Sequence, residues 1–420
     1  MATAMRFGDV ILEQAERLSR FTESDSGITR TYLGAAHRQA GDYLLGLMRA
    51  AGMEADYDAL GNVVGRYGGT AADGAVLMTG SHQDSVVNAG RYDGLFGILS
   101  PIACVADLER RGKRLSYSIE VIAFGDEEGV RFDVTMMGSA AMAGRFDPAW
   151  LEKRDAGGTT LAQALKAFGG DPSAWAAIRR DPERVLAFVE SHIEQGPVLL
   201  EAGLPVGVVT AIAGVTRIRA TVVGVAGHAG TVPMAGRHDA LAAAAEMALA
   251  VEALAQQRQE QIVATVGKFA VAQGGAINVI PGSVQFTVDL RSGSDSAREA
   301  AARELAARCA AIAARRAVEL DWQAFFELGA APCDPVLQSA LGRAIEARGI
   351  ALRHLPSGAG HDAMKFAGVV PMAMLFVRCG NGGISHNPLE TMSAADAEIA
   401  TEILLAFLEG FDPGAGAKAR

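Results

Sequence analysis

The sequence predicts an α/β layer fold interrupted by an inserted β-α-β-β-α-β, ferredoxin-like domain. Three observations predict it. Short apolar runs alternate with helical periodicity before residue 212 and again after residue 328. Between those points the strand-like stretches alternate polar and apolar residues, as in Arg217-Ile218-Arg219-Ala220-Thr221-Val222-Val223. Such alternation marks sheets with one face in water, unlike the wholly apolar strands outside it. Finally, 420 residues is long for one domain, so two are expected. The expected boundaries are residues 1–212 and 329–420 for one domain in two segments, with 213–328 inserted.

In chain order, residues 1–55 read as helical, with Ile11, Leu12, Ala15 and Leu18 on one face. A turn and strand follow at Leu60 to Arg66. Ala75 to Thr79, bounded by glycines, reads as a buried strand whose loop carries His82, with Asp84 two residues on. A helix from Gly97 to Arg111 leads to a strand at Ile119 to Phe124, which ends in Asp126-Glu127-Glu128-Gly129. Residues 145–184 carry helical pieces and no recognisable chemistry. Val185 to Val189 forms a third apolar strand, ending in Glu190-Ser191-His192.

The insertion reads as strand 217–223, helix 239–257, strands 262–272 and 284–290 around Gly274-Gly275 and Pro281-Gly282, helix 296–316 and strand 318–326. Beyond it come a helix at 337–348, a glycine-rich loop Ser357-Gly358-Ala359-Gly360-His361-Asp362, and a strand at Met372 to Val377. Gly383-Ile384-Ser385-His386-Asn387-Pro388 and a closing helix at 394–408 complete the chain.

In open α/β sheets, sites form at the carboxyl ends of strands. A single His after a strand is more often a hydrogen-bonded structural residue than a ligand. Here four strand ends carry His or acid: His82 with Asp93, Glu127 or Glu128, His192, and His386. Two imidazoles and a carboxylate per ion, with one carboxylate bridging, would hold two divalent ions with positions open for water and substrate. Of two adjacent glutamates, one can bind metal while its neighbour takes a proton from water. Asp84 is placed to partner a ring nitrogen of His82.

A formal net charge of −10 argues against a nucleic-acid surface or a polybasic membrane patch. No apolar run approaches the roughly 18 residues of a membrane span, and no signal-peptide core opens the chain, so the cytoplasm is the expected location. The four cysteines, Cys104, Cys309, Cys333 and Cys379, lie far apart and make no C-x-x-C pair, which argues against a disulfide framework.

Gly80-Ser81-His82-x-Asp84, Asp93-Gly94, Glu127-Glu128-Gly129-x-Arg131-Phe132 and Ser191-His192-Ile193-Glu194-Gln195-Gly196-Pro197 resemble the M20-type metallopeptidase clan. The likeness continues through Gly227-His228-Ala229-Gly230-Thr231, Asn278-Val279-Ile280-Pro281-Gly282, Gly358-Ala359-Gly360-His361-Asp362 and Ser385-His386-Asn387-Pro388. It is narrowest to the branch of allantoate amidohydrolases and N-carbamoyl-L-amino acid hydrolases, the hydantoinase/carbamoylase family.

The resemblance implies an M20-like catalytic domain with a mixed sheet and flanking helices, the insertion serving as lid and dimerisation domain. It implies two divalent ions per subunit, manganese or zinc, with cobalt or nickel as further options. His82 and His192 would each bind one side of the pair, Asp93 would bridge, and Glu128 and His386 would complete the second ion. Glu127 would be the base, Asp84 would orient His82, and His228 would polarise the scissile carbonyl. Gln195, Asn278, Arg291, Gly360 and His361 would contact the substrate. The implied reaction is hydrolysis of a ureido C–N bond, in allantoate or an N-carbamoyl-L-amino acid, by a homodimer. Peptide hydrolysis or deacylation within the same clan is the alternative, and a non-catalytic binding protein a further one. Arg378 is expected to add a cation near the site.

Overall fold

The computed structural model of the chain describes residues 6–71, 74–271 and 275–414. The expected strand end at Ala272 and the turn glycine Gly274 lie outside the described residues. The chain divides into two compact units. One takes the chain up to Thr210, Cys333–Leu355 and His361 onward; the other takes Ala211–Pro332 and Pro356–Gly360.

In the first unit, helices Phe7–Leu18 and Ala35–Ala50 precede β1 (Glu54–Tyr57) and β2 (Val63–Tyr67). Next come β3 (Val76–His82), helix Leu95–Arg110, β4 (Ser118–Phe124), β5 (Val185–Ile193) and β6 (Val206–Ile212). The second unit adds β7 (Gly214–Val223), β8 (Gly227–His228), helix Ala240–Gln257, β9 (Val263–Val271), β10 (Val279–Ile280) and β11 (Ser283–Ser292). Helix Asp295–Arg316, β12 (Glu319–Leu328) and β13 (Ala331–Pro332) follow. Helix Pro335–Glu346, β14 (His354–Ser357), β15 (Met372–Val377) and helix Ala394–Gly410 end the chain.

The large mixed sheet runs β1-β2-β4-β3-β5-β15-β6. Its centre is parallel, β4 with β3, β3 with β5 and β5 with β15, while β2 and β6 pair antiparallel to it on either side. Every residue of β3, β4 and β15 is buried, as expected where helices cover a parallel sheet. Helix Leu95–Arg110 packs on β3 and β5, and Ala394–Gly410 packs on that helix and on β15. Because the four central strands are parallel, their carboxyl ends lie on one side of the sheet. That end receives His82, the loop after Phe124, His192 and the chain beyond Val377.

Two of these strands are longer than the apolar runs suggest. His82 closes β3 instead of lying in a loop, and His192 lies inside β5. Polar residues stay in the ladder because buried partners satisfy them: Ser81 Oγ donates to Glu190 Oε1 at 2.7 Å. β6, which the sequence leaves unassigned, is a buried antiparallel strand.

The second unit has a four-stranded antiparallel sheet, order β12-β7-β11-β9, with elements in the order strand, helix, strand, strand, helix, strand. Ile218, Ala220 and Val222 of β7 and Val284, Phe286, Val288 and Leu290 of β11 share a core with Met247, Val251, Leu254, Leu305 and Ile312 of the two helices. The alternation leaves Arg217 and Arg219, Gln285, Thr287, Asp289 and Arg291 on the opposite face. Arg291 lies within β11, not after it. Asp239 and Ser294 cap the two helices by accepting backbone N–H groups.

All four cysteines are free and buried. No helix among the described residues is long and apolar enough to cross a membrane.

Gly80 gives β3 its close fit. Its φ is +151°, and an added Cβ would stand 2.0 Å from the Ile122 carbonyl oxygen of β4. Gly80→Ala is expected to destabilise the protein by about 3 kcal/mol or more, from combined strain and overpacking. Chemical denaturation checks this; a wild-type midpoint would contradict it.

Candidate metal centre

Asp93 stands where the strand ends converge. His82 Nε2 and His192 Nε2 lie 3.6 and 3.3 Å from Asp93 Oδ1. His386 Nε2 lies 3.1 Å from Oδ2 and 3.7 Å from Glu128 Oε1. The ligand atoms form two sets about one carboxylate, His82-Asp93-His192 and Asp93-Glu128-His386. His82 and His192 therefore gather on the same carboxylate oxygen, where the resemblance had put them on opposite sides. His82 also groups with Glu127 and Glu128, and His192 with Glu190 and His361. Asp126 joins none of these sets.

The tautomers fit a cation. His82 Nδ1 lies 3.0 Å from the Asp84 carbonyl oxygen, and His192 Nδ1 lies 2.8 Å from the Ile193 carbonyl oxygen. A carbonyl only accepts, so each Nδ1 donates and the neutral ring carries its lone pair on Nε2. Gly94 N–H donates to His192 Nε2 at 3.3 Å, which requires the same tautomer. Both lone pairs then face a carboxylate oxygen, an opposition that only a proton or a cation between them relieves. Gln195 Nε2 lies 3.1 Å from each Asp93 oxygen, to which it donates, and 3.3 Å from His386 Nε2. The donor set of imidazole and carboxylate suits a transition-type divalent ion.

The charges follow from burial. Burial alone would raise the Asp93 carboxyl, but once protons occupy Nε2 of His192, His386 and His82 the hydrogen bonds from those charged rings hold it well below the usual range. Burial opposes charging His82, yet Asp93 with Glu127 and Asp84 keeps that ring well above its ordinary value. Burial pushes the Glu127 carboxyl well above the usual range, with Glu128, Asp362 and Asp84 adding to it against His82. Burial also raises Glu128, to about 7. Protons thus compete with cations here, and a bound cation would return Glu127 and Glu128 toward the charged form.

Asp84 does not do what its spacing suggests. Its carboxylate stands 3.8 Å from His82 Nδ1 and instead accepts the backbone N–H groups of Glu127 and Glu128, each at 3.1 Å. The backbone carbonyl of Asp84 orients the ring, and its side chain holds the acid loop. Gly94, at φ +68°, is required beside them, since an added Cβ would stand 2.6 Å from His82 Nδ1.

Two carboxylates outside the expected ligand set hold the frame. Glu390 accepts from the backbone of Tyr92 (2.7 Å) and Asp93 (3.2 Å) with one oxygen, and from Ser385 Oγ (2.7 Å) with the other. Glu190 joins Ser81 to the Ala363 backbone N–H at 3.0 Å. Neither falls in a periodic pattern; their one signal is an acid at the edge of a motif. The His361 ring packs edge-on to His192, centroids 4.4 Å apart. Arg378 is bound to Asp396 at 2.7 Å and is not a free cation.

His228, Asn278, Arg291 and Gly360 belong to the second unit. His228 pairs with Val279 across β8 and β10, and Ala229 N–H donates to the Asn278 carbonyl at 2.9 Å, so the short ribbon brings His228 and Asn278 together. Gly230 N–H donates to His228 Nδ1 at 3.0 Å. The neutral ring therefore presents Nε2–H as a donor.

Residues 78–410 match the model of peptidase family M20/M25/M40. The chain belongs to this family. It is 42% identical over 382 residues to an N-carbamoyl-L-amino acid amidohydrolase of Geobacillus stearothermophilus, covering 91% of this chain and 93% of that one. It is 37% identical to a probable allantoate deiminase of Oryza sativa subsp. japonica, covering 96% and 88%. Among solved structures, a hydantoinase/carbamoylase family amidase from Burkholderia multivorans superposes with a TM-score of 0.89 at 32% identity, covering 96% and 97%.

A divalent ion that binds the folded M20-family chain should stabilise it by about 2.7 kcal/mol at one hundred times its dissociation constant. Adding Mn²⁺ to chelator-treated protein is expected to raise the melting temperature, and Asp93→Ala to remove that rise. An equal rise in the variant would place the ion elsewhere.

Proposed function

We propose that the chain is a divalent-metal amidohydrolase that cleaves the ureido C–N bond of a small carboxylate-bearing substrate, allantoate or an N-carbamoyl-L-amino acid. The observation that carries this is the acceptor-rich pair of ligand sets about Asp93 with an adjacent buried glutamate, Glu127. Relatives over nearly the whole chain bear both substrate names, and both substrates offer a ureido group and a carboxylate. The proposed cofactor is two divalent ions per subunit, manganese or zinc, with cobalt or nickel as further options, since mixed imidazole and carboxylate ligands suit all four.

When bound, the ions would polarise the ureido carbonyl and acidify a water. His82, His192 and Asp93 would hold one ion, and Asp93, Glu128 and His386 the other. Glu127 takes the proton of the attacking water on its carboxylate and delivers it to the departing nitrogen. Its burial raises the carboxyl above the ordinary range, which makes the carboxylate a stronger base toward that water. His228 Nε2–H donates to the carbonyl oxygen as negative charge develops there. Asn278 and Arg291 bind the substrate carboxylate, with Gln195, Gly360 and His361 as further contacts. The inserted ferredoxin-like unit serves as lid and dimerisation domain. A peptidase reading has less support, because the relatives reported above carry names of ureido hydrolases and amidases.

Glu127→Gln keeps the size of the side chain and removes the base. Turnover of the ureido substrate is expected to fall at least about a thousandfold, within the range for losing proton transfer, with metal content unchanged. Retained turnover at normal metal content would show that another group carries the proton.

A further inference from the structure

We propose that Asp289 and Arg217 form a positioning device that leaves one edge of the Arg291 guanidinium for the substrate carboxylate and keeps that edge electropositive. The inference rests on the reading of Arg291 as the carboxylate-binding residue. The geometry lies within the second unit.

Asp289 and Arg291 sit two residues apart on β11, so their side chains share the sheet face away from the helices. Arg291 Nε donates to Asp289 Oδ1 at 2.7 Å, and Nη2 donates to Oδ2 at 3.4 Å. Arg291 Nη1 donates to the Gly358 carbonyl at 2.7 Å. A guanidinium has five N–H donors in a fixed planar fork. Asp289 takes the side edge, Nε with one hydrogen of Nη2. Gly358 takes one hydrogen of Nη1. Among the described residues two donors remain, one on each terminal nitrogen, the number a carboxylate uses when bound bidentately.

An Arg-Asp pair alone would be neutral and would attract a carboxylate weakly. Here the register places Arg217 of β7 opposite Asp289, and Arg217 Nε donates to Asp289 Oδ2 at 3.2 Å. Two cations share one carboxylate, so a net positive charge remains beside the open edge. The three side chains are partly exposed, at 46% for Arg217, 29% for Asp289 and 36% for Arg291. Pairs this exposed contribute little stability. The arrangement aims a charge more than it holds the sheet together.

The test is steady-state kinetics of the metal-loaded enzyme on an N-carbamoyl-L-amino acid and on the corresponding carboxamide, which lacks the charge. Asp289→Asn and Arg217→Gln are each expected to raise KM for the acid about tenfold with kcat within about twofold. Both should lower the preference for acid over amide, and Arg217→Lys should restore much of it. Arg291→Ala is the reference and should lose more of that preference than either. If Arg291→Ala abolishes the preference while Asp289→Asn and Arg217→Gln keep wild-type KM, the device is overturned and the carboxylate reading stands. Equal losses on acid and amide in Asp289→Asn, at a wild-type melting temperature, would mean a structural role and also overturn it. If Arg291→Ala itself leaves KM and preference unchanged, the carboxylate reading fails first.

Discussion

Three imidazoles press on one buried carboxylate. His82, His192 and His386 come from three separate stretches of chain and reach Asp93 with Nε2. Two of these rings have their other nitrogen committed to a backbone carbonyl. Such a cluster is unfavourable without a positive charge at its centre, since burial withholds the water that would otherwise solvate it. The surrounding structure is built to hold it in that state.

That support is mostly anionic and backbone-directed. Asp84, Glu190 and Glu390 use their carboxylates on N–H and hydroxyl groups, and each joins segments distant in sequence. Arg30 adds a buried cation whose guanidinium donates to the carbonyls of Leu18, Phe21 and Gln83, fixing the chain next to His82 from outside the sheet. Fixed ligand positions matter because metal affinity and orientation are set as much by the groups behind the ligands as by the ligands. The four parallel strands supply the rigid platform on which this is possible.

Much of this was legible from the chain. The apolar runs before His82, Asp126 and His192 are strands because parallel sheets bury both faces, and that leaves a strong signal in composition. The alternation of Arg217 to Val223 showed an open sheet face for the same physical reason. What was hidden depends on partners distant in sequence. Asp84 lies two residues from His82, yet its carboxylate turns to the Glu127–Glu128 backbone, a choice set by how β3 and β4 lie side by side. Glu190 and Glu390 carry no periodicity, and only folding shows that each is buried. Arg378 looked free because Asp396 lies 18 residues away on a helix. The extension of β5 to His192 leaves no signal in the sequence, because polar residues end an apolar run without ending the ladder.

Hydrolysis of a ureido bond at this candidate metal centre is the proposed activity. The most direct measurement is ammonia release by manganese-loaded protein supplied separately with allantoate, an N-carbamoyl-L-amino acid and a dipeptide, each with and without chelator. Ammonia from at least one ureido compound, abolished by chelator, with the dipeptide left intact, is the expected result. Cleavage of the dipeptide with both ureido compounds untouched would contradict the account and make the chain a peptidase of the same family.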